Sequence, residues 1–230
     1  TALVMNSQTN GSAGTVDASA STNTTVSLSG TTDATALNTG TAMVEGNSTL
    51  ALARGNVAQN TVVANGANVT GGVSPAGLNS TAGVLGGVLN ASFGVFNEQS
   101  QAAAINATSS GTNYQVNTTS GTRTLGTLGL ALNGASATVS GNSINASAFG
   151  NVATNSVTLA SLSTAANDSS AAVFNAQSNS GAITSLATGA TIGSFSTGGV
   201  VSASVGVSNN SISASSIGNF ASSTVTRTDR

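Results

Sequence analysis

A sixteen-residue pattern is written three times, without gaps, into this chain. It reads Asn-Ser-Thr-Leu-Ala-Leu-Ala-Arg-Gly-Asn-Val-Ala-Gln-Asn-Thr-Val at 47–62 and Asn-Ser-Ile-Asn-Ala-Ser-Ala-Phe-Gly-Asn-Val-Ala-Thr-Asn-Ser-Val at 142–157. The third copy, at 210–225, is Asn-Ser-Ile-Ser-Ala-Ser-Ser-Ile-Gly-Asn-Phe-Ala-Ser-Ser-Thr-Val. A shorter pattern, Val-(Met/Phe)-Asn-x-Gln-(Ser/Thr)-(Asn/Gln), occupies 4–10, 95–101 and 173–179 and alternates strictly with the long one. An ordered repeat of this kind implies units that bury their faces against one another. The 230 residues are read as a single repeat domain, 1–230, in superrepeats of about 4–94, 95–172 and 173–230.

The long pattern reads physically as strand, corner, strand. Positions 3, 5 and 7 are Thr49, Ala51 and Ala53, then Ile144, Ala146 and Ala148, then Ile212, Ala214 and Ser216. Alternate residues of a strand share a face, so these small or β-branched side chains predict a thin, closely approached interior. Gly55, Gly150 and Gly218 are expected at a turn, where a positive φ is cheap for glycine. Asn56, Asn151 and Asn219 follow, placed to bond backbone at the corner. The short pattern supplies a second expected ladder: Asn6, Gln8, Asn97, Gln99, Asn175 and Gln177. Asn56, Asn68, Asn79 and Asn90 recur at strand-plus-corner intervals, which predicts a rung of about 22 residues. A Ser/Thr/Asn/Gly-rich chain with β-branched apolars has poor helix propensity and no long 3.6-period stripe, and a sandwich wants more aromatic core than six Phe and one Tyr provide. The expected class is all-β: a β-solenoid, parallel β-helix-like, built from three degenerate superrepeats.

Composition decides what such a coil can do. Only 4% of residues are charged, against roughly 25% in an ordinary domain. There is no His, Cys or Trp, and all four cations are arginine. That inventory removes triads, thiol nucleophiles, the usual zinc sites, haem and disulfides. The acids are read as isolated surface charges, and the Asp-rich signature of calcium-binding rolls is missing. No catalytic, cofactor-binding or metal site is expected, and the chain is read as a non-enzyme. Four scattered cations cannot neutralise a phosphate backbone, which argues against nucleic acid. No apolar run reaches the ~18 residues of a membrane span. Disorder, the other reading of a Gly/Ser/Asn-rich chain, is opposed by 39% hydrophobic content and a single proline, Pro75.

The first short motif starts at Val4 and the last long motif stops at Val225, and the chain opens Thr-Ala-Leu-Val. It is read as a processed chain or a fragment with uncapped, complementary ends. The expectation is heterologous head-to-tail association into a filament, with little like-charge repulsion and with Asn/Gln ladders favouring stacking. The Gly-Asn-x-Ala-x-Asn segment and the spaced Asn and Gln resemble curlin repeats of bacterial functional amyloids. Together, Val-Phe-Asn-x-Gln-Ser and Asn-Ser-Ile-x-Ala-x-Ala-x-Gly-Asn-Val-Ala-x-Asn are similar to the holdfast-attachment D-type surface repeat proteins of alphaproteobacteria. That resemblance implies an exported fibre or anchor subunit on a Gram-negative cell surface. Its implied partners are copies of itself, extracellular polysaccharide and other surface fibre proteins. The alternative is a polysaccharide-binding surface-layer or adhesin stalk segment that does not polymerise.

Overall fold

The computed structural model describes residues 2–29, 40–66, 76–79, 88–119, 132–133, 135–161, 170–197, 200–201 and 204–229. Among these the regular structure is all strand. The first rung holds β1 (Ala2–Asn10), β2 (Thr15–Ala20), β3 (Asn23–Ser29), β4 (Thr41–Glu45) and β5 (Ser48–Gly66). A hairpin follows, β6 (Ala76–Asn79) and β7 (Val88–Ala91). The second rung is β8 (Phe93–Gln101), β9 (Ala104–Ser110), β10 (Asn113–Thr119), the short β11 (Leu132–Asn133), β12 (Ser136–Ser140) and β13 (Ser143–Ser161). The third is β14 (Ala171–Asn179), β15 (Ile183–Thr188), β16 (Thr191–Thr197), the short β17 (Val200–Val201), β18 (Ser204–Ser208) and β19 (Ser211–Asp229).

Equivalent strands stack in parallel and in register, giving five three-stranded sheets: β1-β8-β14, β2-β9-β15, β3-β10-β16, β4-β12-β18 and β5-β13-β19. Parallel pairing requires the chain to make a full circuit between partners. This is the β-solenoid that the triplicated pattern predicts, with Asn56, Asn151 and Asn219 directly above one another.

The 22-residue rung is overturned. Stacked partners lie 91 and 78 residues apart along β1-β8-β14, and 95 and 68 apart along β5-β13-β19. Each superrepeat is therefore one whole rung. Within a superrepeat successive strands are unlike each other, so only strands a full superrepeat apart can place identical amides in one column. Asn79 and Asn90 lie in the antiparallel β6–β7 hairpin, while Asn68 is outside the described residues. Its second strand, β7, packs on β14 and β8.

A rung runs out along three strands and back along two. β4 returns over β3, and the long β5 returns over β2 and then β1. Three apolar clusters fill the space between the layers. One joins Ala42, Val44, Tyr114, Val116, Val139 and Ile144; a second joins Ala51, Ala53, Ile105, Ala107, Ala146 and Ala148. A third joins Val62, Phe93, Val95, Val157 and Leu159. The Tyr114 hydroxyl is buried and bonds Thr49 Oγ1. On the outer side of the first sheet, Phe96 and Phe174 stack with ring centroids 4.6 Å apart. Glu98, read from sequence as a surface charge, is instead buried in β8, 2% exposed.

The glycine corner also needs correction. Gly55, Gly150 and Gly218 are absent from the positive-φ residues; among the described residues the left-handed positions are Gly46, Gly111, Gly141, Gly189 and Asn209. The 19-residue strands run through Gly55, Gly150 and Gly218. What happens there is a change of phase: Gly150 and Asn151 are consecutive and both buried, which breaks the in–out alternation on either side. Glycine is needed for space. A Cβ on Gly55 would strike Gln101 Oε1, and one on Gly150 would strike the Gly218 carbonyl oxygen.

The return layer is staggered by half a rung. β5 contacts β1 and β2 of its own rung and also β8 and β9 of the next; β13 is wedged in the same way, and β19 packs on β14 and β15. The third rung therefore presents inward side chains to solvent: Ile144 is 0% exposed and its equivalent Ile212 is 49%. Truncating Ile144 to Ala should cost about 2–5 kcal/mol in denaturant unfolding. The same change at Ile212 in the isolated chain should cost less than about 1 kcal/mol, because half of that side chain is already hydrated.

Candidate assembly surface

The interior is crossed by columns of side-chain amides, which need partners because an unsatisfied buried amide is costly. Identical amides one strand spacing apart satisfy each other. Asn6 Nδ2 donates to Asn97 Oδ1 and Asn97 Nδ2 to Asn175 Oδ1, both at 2.7 Å. Asn56 Nδ2 donates to Asn151 Oδ1 at 2.9 Å, and Asn151 Nδ2 to Asn219 Oδ1 at 2.7 Å. Gln99 and Gln177 run the opposite way, each Nε2 donating to Oε1 of the glutamine below, Gln8 and Gln99 respectively, at 2.7 Å.

The second amide hydrogen ties the two layers together. Gln8, Gln99 and Gln177 donate to the carbonyls of Val57, Val152 and Phe220 on the return strand. Asn56 and Asn151 donate upward, to Ser100 O and Ser178 O of the following rung, at 2.8 Å. Asn60 and Asn155 likewise reach Asn97 Oδ1 and Asn175 Oδ1 at 3.1 Å. The twelve residues singled out from sequence thus fall into four columns: the glycines Gly55, Gly150 and Gly218, and three amide ladders.

Sequence reasoning missed a fourth ladder. Asn47, Asn142 and Asn210 open the three long motifs and follow the left-handed residues Gly46, Gly141 and Asn209. Asn142 Oδ1 accepts from both the backbone N–H and Nδ2 of Asn47, and Asn210 Oδ1 accepts the same pair from Asn142. Their amides also donate to the rung below, Asn142 to Val44 O and Asn210 to Val139 O, at 2.9 Å. The signal was an asparagine at position 1 of every copy, just after a glycine or asparagine able to turn left.

Each ladder has a direction, so its two ends differ. At the third rung the Asn columns end on donors, Asn175 Nδ2 and the Asn210 N–H, and the Gln column ends on the acceptor Gln177 Oε1. At the first rung the Asn columns end on oxygens, those of Asn6, Asn47 and Asn56, and the Gln column ends on the Gln8 amide. Among the described residues no rung lies beyond Asn219, whose Nδ2 donates to Gln177 O at 3.4 Å. Around these groups on the third rung stand half-exposed inward side chains: Val205, Val207, Ile212 and Val225. Their counterparts Ala137, Val139, Ile144 and Val157 are all buried. Exposed apolar clusters of this kind mark contact surfaces.

Among the described residues no group of three or more His, Cys, Asp or Glu could hold a metal ion. Asp17 is exposed, and hydrogen bonds from Asn106 and Thr15 hold its carboxyl below the ordinary value of 3.8. The chain matches no family model, no curated protein and no solved structure.

Two outcomes are expected. Asn142→Ala strands the buried Val44 carbonyl and the Asn47 N–H, at a cost of about 1–3 kcal/mol, whereas the outward Asn145→Ala should be near neutral; chemical denaturation compares them. The pKa of Asp17 is lower in the folded chain, so its stabilising effect is complete above 3.8 and disappears as pH falls through the lowered value. Asp17→Asn should therefore lose less stability than the parent chain between about pH 5 and pH 2, a small difference visible in Tm.

Proposed function

We propose that this chain is a non-enzymatic structural subunit that stacks head-to-tail on copies of itself into a filament. Its proposed place is the outside of a Gram-negative bacterium, as a surface fibre or as an anchor between envelope and matrix. The observation that carries this reading is the complementarity of the two ends. The donors and acceptor that finish the ladders at the third rung match, column by column, the oxygens and amide that start them at the first.

Continuing the coil lays β1 of the incoming copy on β14, β2 on β15, β3 on β16, β4 on β18 and β5 on β19. Asn175 then donates to Asn6, Asn219 to Asn56, and the Asn210 N–H to Asn47, all of the incoming copy. The Val207 carbonyl receives the Asn47 amide as Val44 and Val139 receive theirs. Ile212, Val207 and Val225 lose their solvent contact, which supplies the driving force. Two different surfaces meet, so the contact is heterologous and propagates. The likeness of the Gly-Asn-x-Ala-x-Asn segment to curlin and holdfast-anchor repeats supports the surface location. Outward Asn23, Thr25, Ser27, Asn113, Gln115 and Asn117 offer amides and hydroxyls to an extracellular polysaccharide.

The chain has no native cysteine, so an engineered pair reports the contact cleanly. Thr9 pairs with Ser100, and Ser100 with Ser178, which separates positions 9 and 178 within one chain by two strand spacings, about 9.6 Å. That exceeds the roughly 7 Å limit for a disulfide, while stacked copies bring the two positions together. The double variant Thr9→Cys/Ser178→Cys should give a ladder of disulfide-linked multimers on a non-reducing gel, and neither single variant should. A double variant that stays monomeric at every concentration would sink the reading.

A further inference from the structure

Gly218 stands in a crowded column, yet it is the one member that is not crowded. At Gly55 a Cβ would meet Gln101 Oε1 and the Gly150 carbonyl oxygen; at Gly150 it would meet Asn179 Oδ1 and the Gly218 carbonyl oxygen. Both obstacles belong to the rung above. Gln101 and Asn179 occupy one column with Asn10. Their amide nitrogens are fixed by the carbonyls of Ala103 and Gly181, at 2.8 and 3.0 Å. Their oxygens are buried and, among the described residues, have no hydrogen-bond partner. Each oxygen is aimed at the glycine below it, a Cα–H···O contact that only glycine leaves room for. At Gly218 the nearest atom to a Cβ is Asn179 Nδ2 at 3.6 Å, an ordinary contact, and its backbone is not left-handed. Among the described residues nothing requires glycine there.

We infer that Gly218 is a specificity-determining residue for assembly, receiving Asn10 and the Gly55 carbonyl of the next copy. This rests on the head-to-tail reading and adds to it a residue whose side-chain size matters between copies and not within one. Alanine at 218 is accommodated by the isolated chain, and its methyl group blocks the next rung at two points. The first rung of such a variant is unaltered, so it can still add to the open third rung of a normal filament. Having added, it presents a blocked surface. Gly218→Ala is therefore a chain terminator.

The test compares the parent chain, Gly218→Ala and Gly150→Ala, by thermal unfolding of dilute monomer and by seeded elongation followed with light scattering and electron microscopy. Gly218→Ala should unfold at the parent Tm and elongate at least about tenfold more slowly. Added in small proportion to the parent chain it should shorten the filaments. Gly150→Ala should lower Tm. If Gly218→Ala elongates as the parent does, or if it lowers monomer Tm as Gly150→Ala does, the inference is overturned while head-to-tail stacking stands. If the parent chain itself never elongates, the head-to-tail reading fails and takes this inference with it.

Discussion

A side-chain amide buried between two β-layers has to place two hydrogens and a carbonyl oxygen, and the side chains of the surrounding alanines and valines offer nothing to bond. An identical amide one strand spacing above satisfies most of that demand. The rest goes to a backbone carbonyl on the facing layer, as with Gln99 and Val152 O. This requirement sets the register of the whole coil. Slipping one strand by a residue would remove Asn97 from between Asn6 and Asn175 and turn it out of the interior. Parallel, in-register stacking follows from it, and so does a circuit long enough to bring back the same amide.

The same stacking explains how the few charges are distributed. In-register layers put each residue on its own counterpart, so a charge repeated in every copy would face itself at about 4.8 Å. Among the described strands that never occurs. Asp17 meets Asn106, Glu45 meets Ser140, Arg54 meets Phe149, Glu98 lies between Ser7 and Ala176, and Arg227 follows Leu159. Each charge has neutral neighbours in its column. Arg54 gains from the arrangement, its guanidinium carbon standing 5.8 Å from the centre of the Phe149 ring.

The repeats made the fold class legible, because period-two alternation of small inward residues admits few other solutions. They also placed Asn56, Asn151 and Asn219 in one column, since the copies align without gaps. The circuit length was not legible. Asn79 and Asn90 have the right residue type and spacing for ladder positions, but they belong to an antiparallel hairpin, and local spacing carries no information about which strands pair. The glycine corner was misread for a related reason. A glycine kept for space and a glycine kept for positive φ look alike in sequence, and only the oxygen of Gln101 pressed against Gly55 distinguishes them. The Asn47 column escaped notice because what marks it is the left-handed residue just before it, Gly46, Gly141 or Asn209, which the motif boundary cut away.

Backbone hydrogen bonds in all five sheets lie along the direction in which the rungs pile up. A pull along that direction loads them together, and no single bond can give way without its neighbours sharing the force. Tension applied across a strand end would instead open them one by one. The coil is therefore mechanically anisotropic, resisting stretch along its length far better than peeling at its rim.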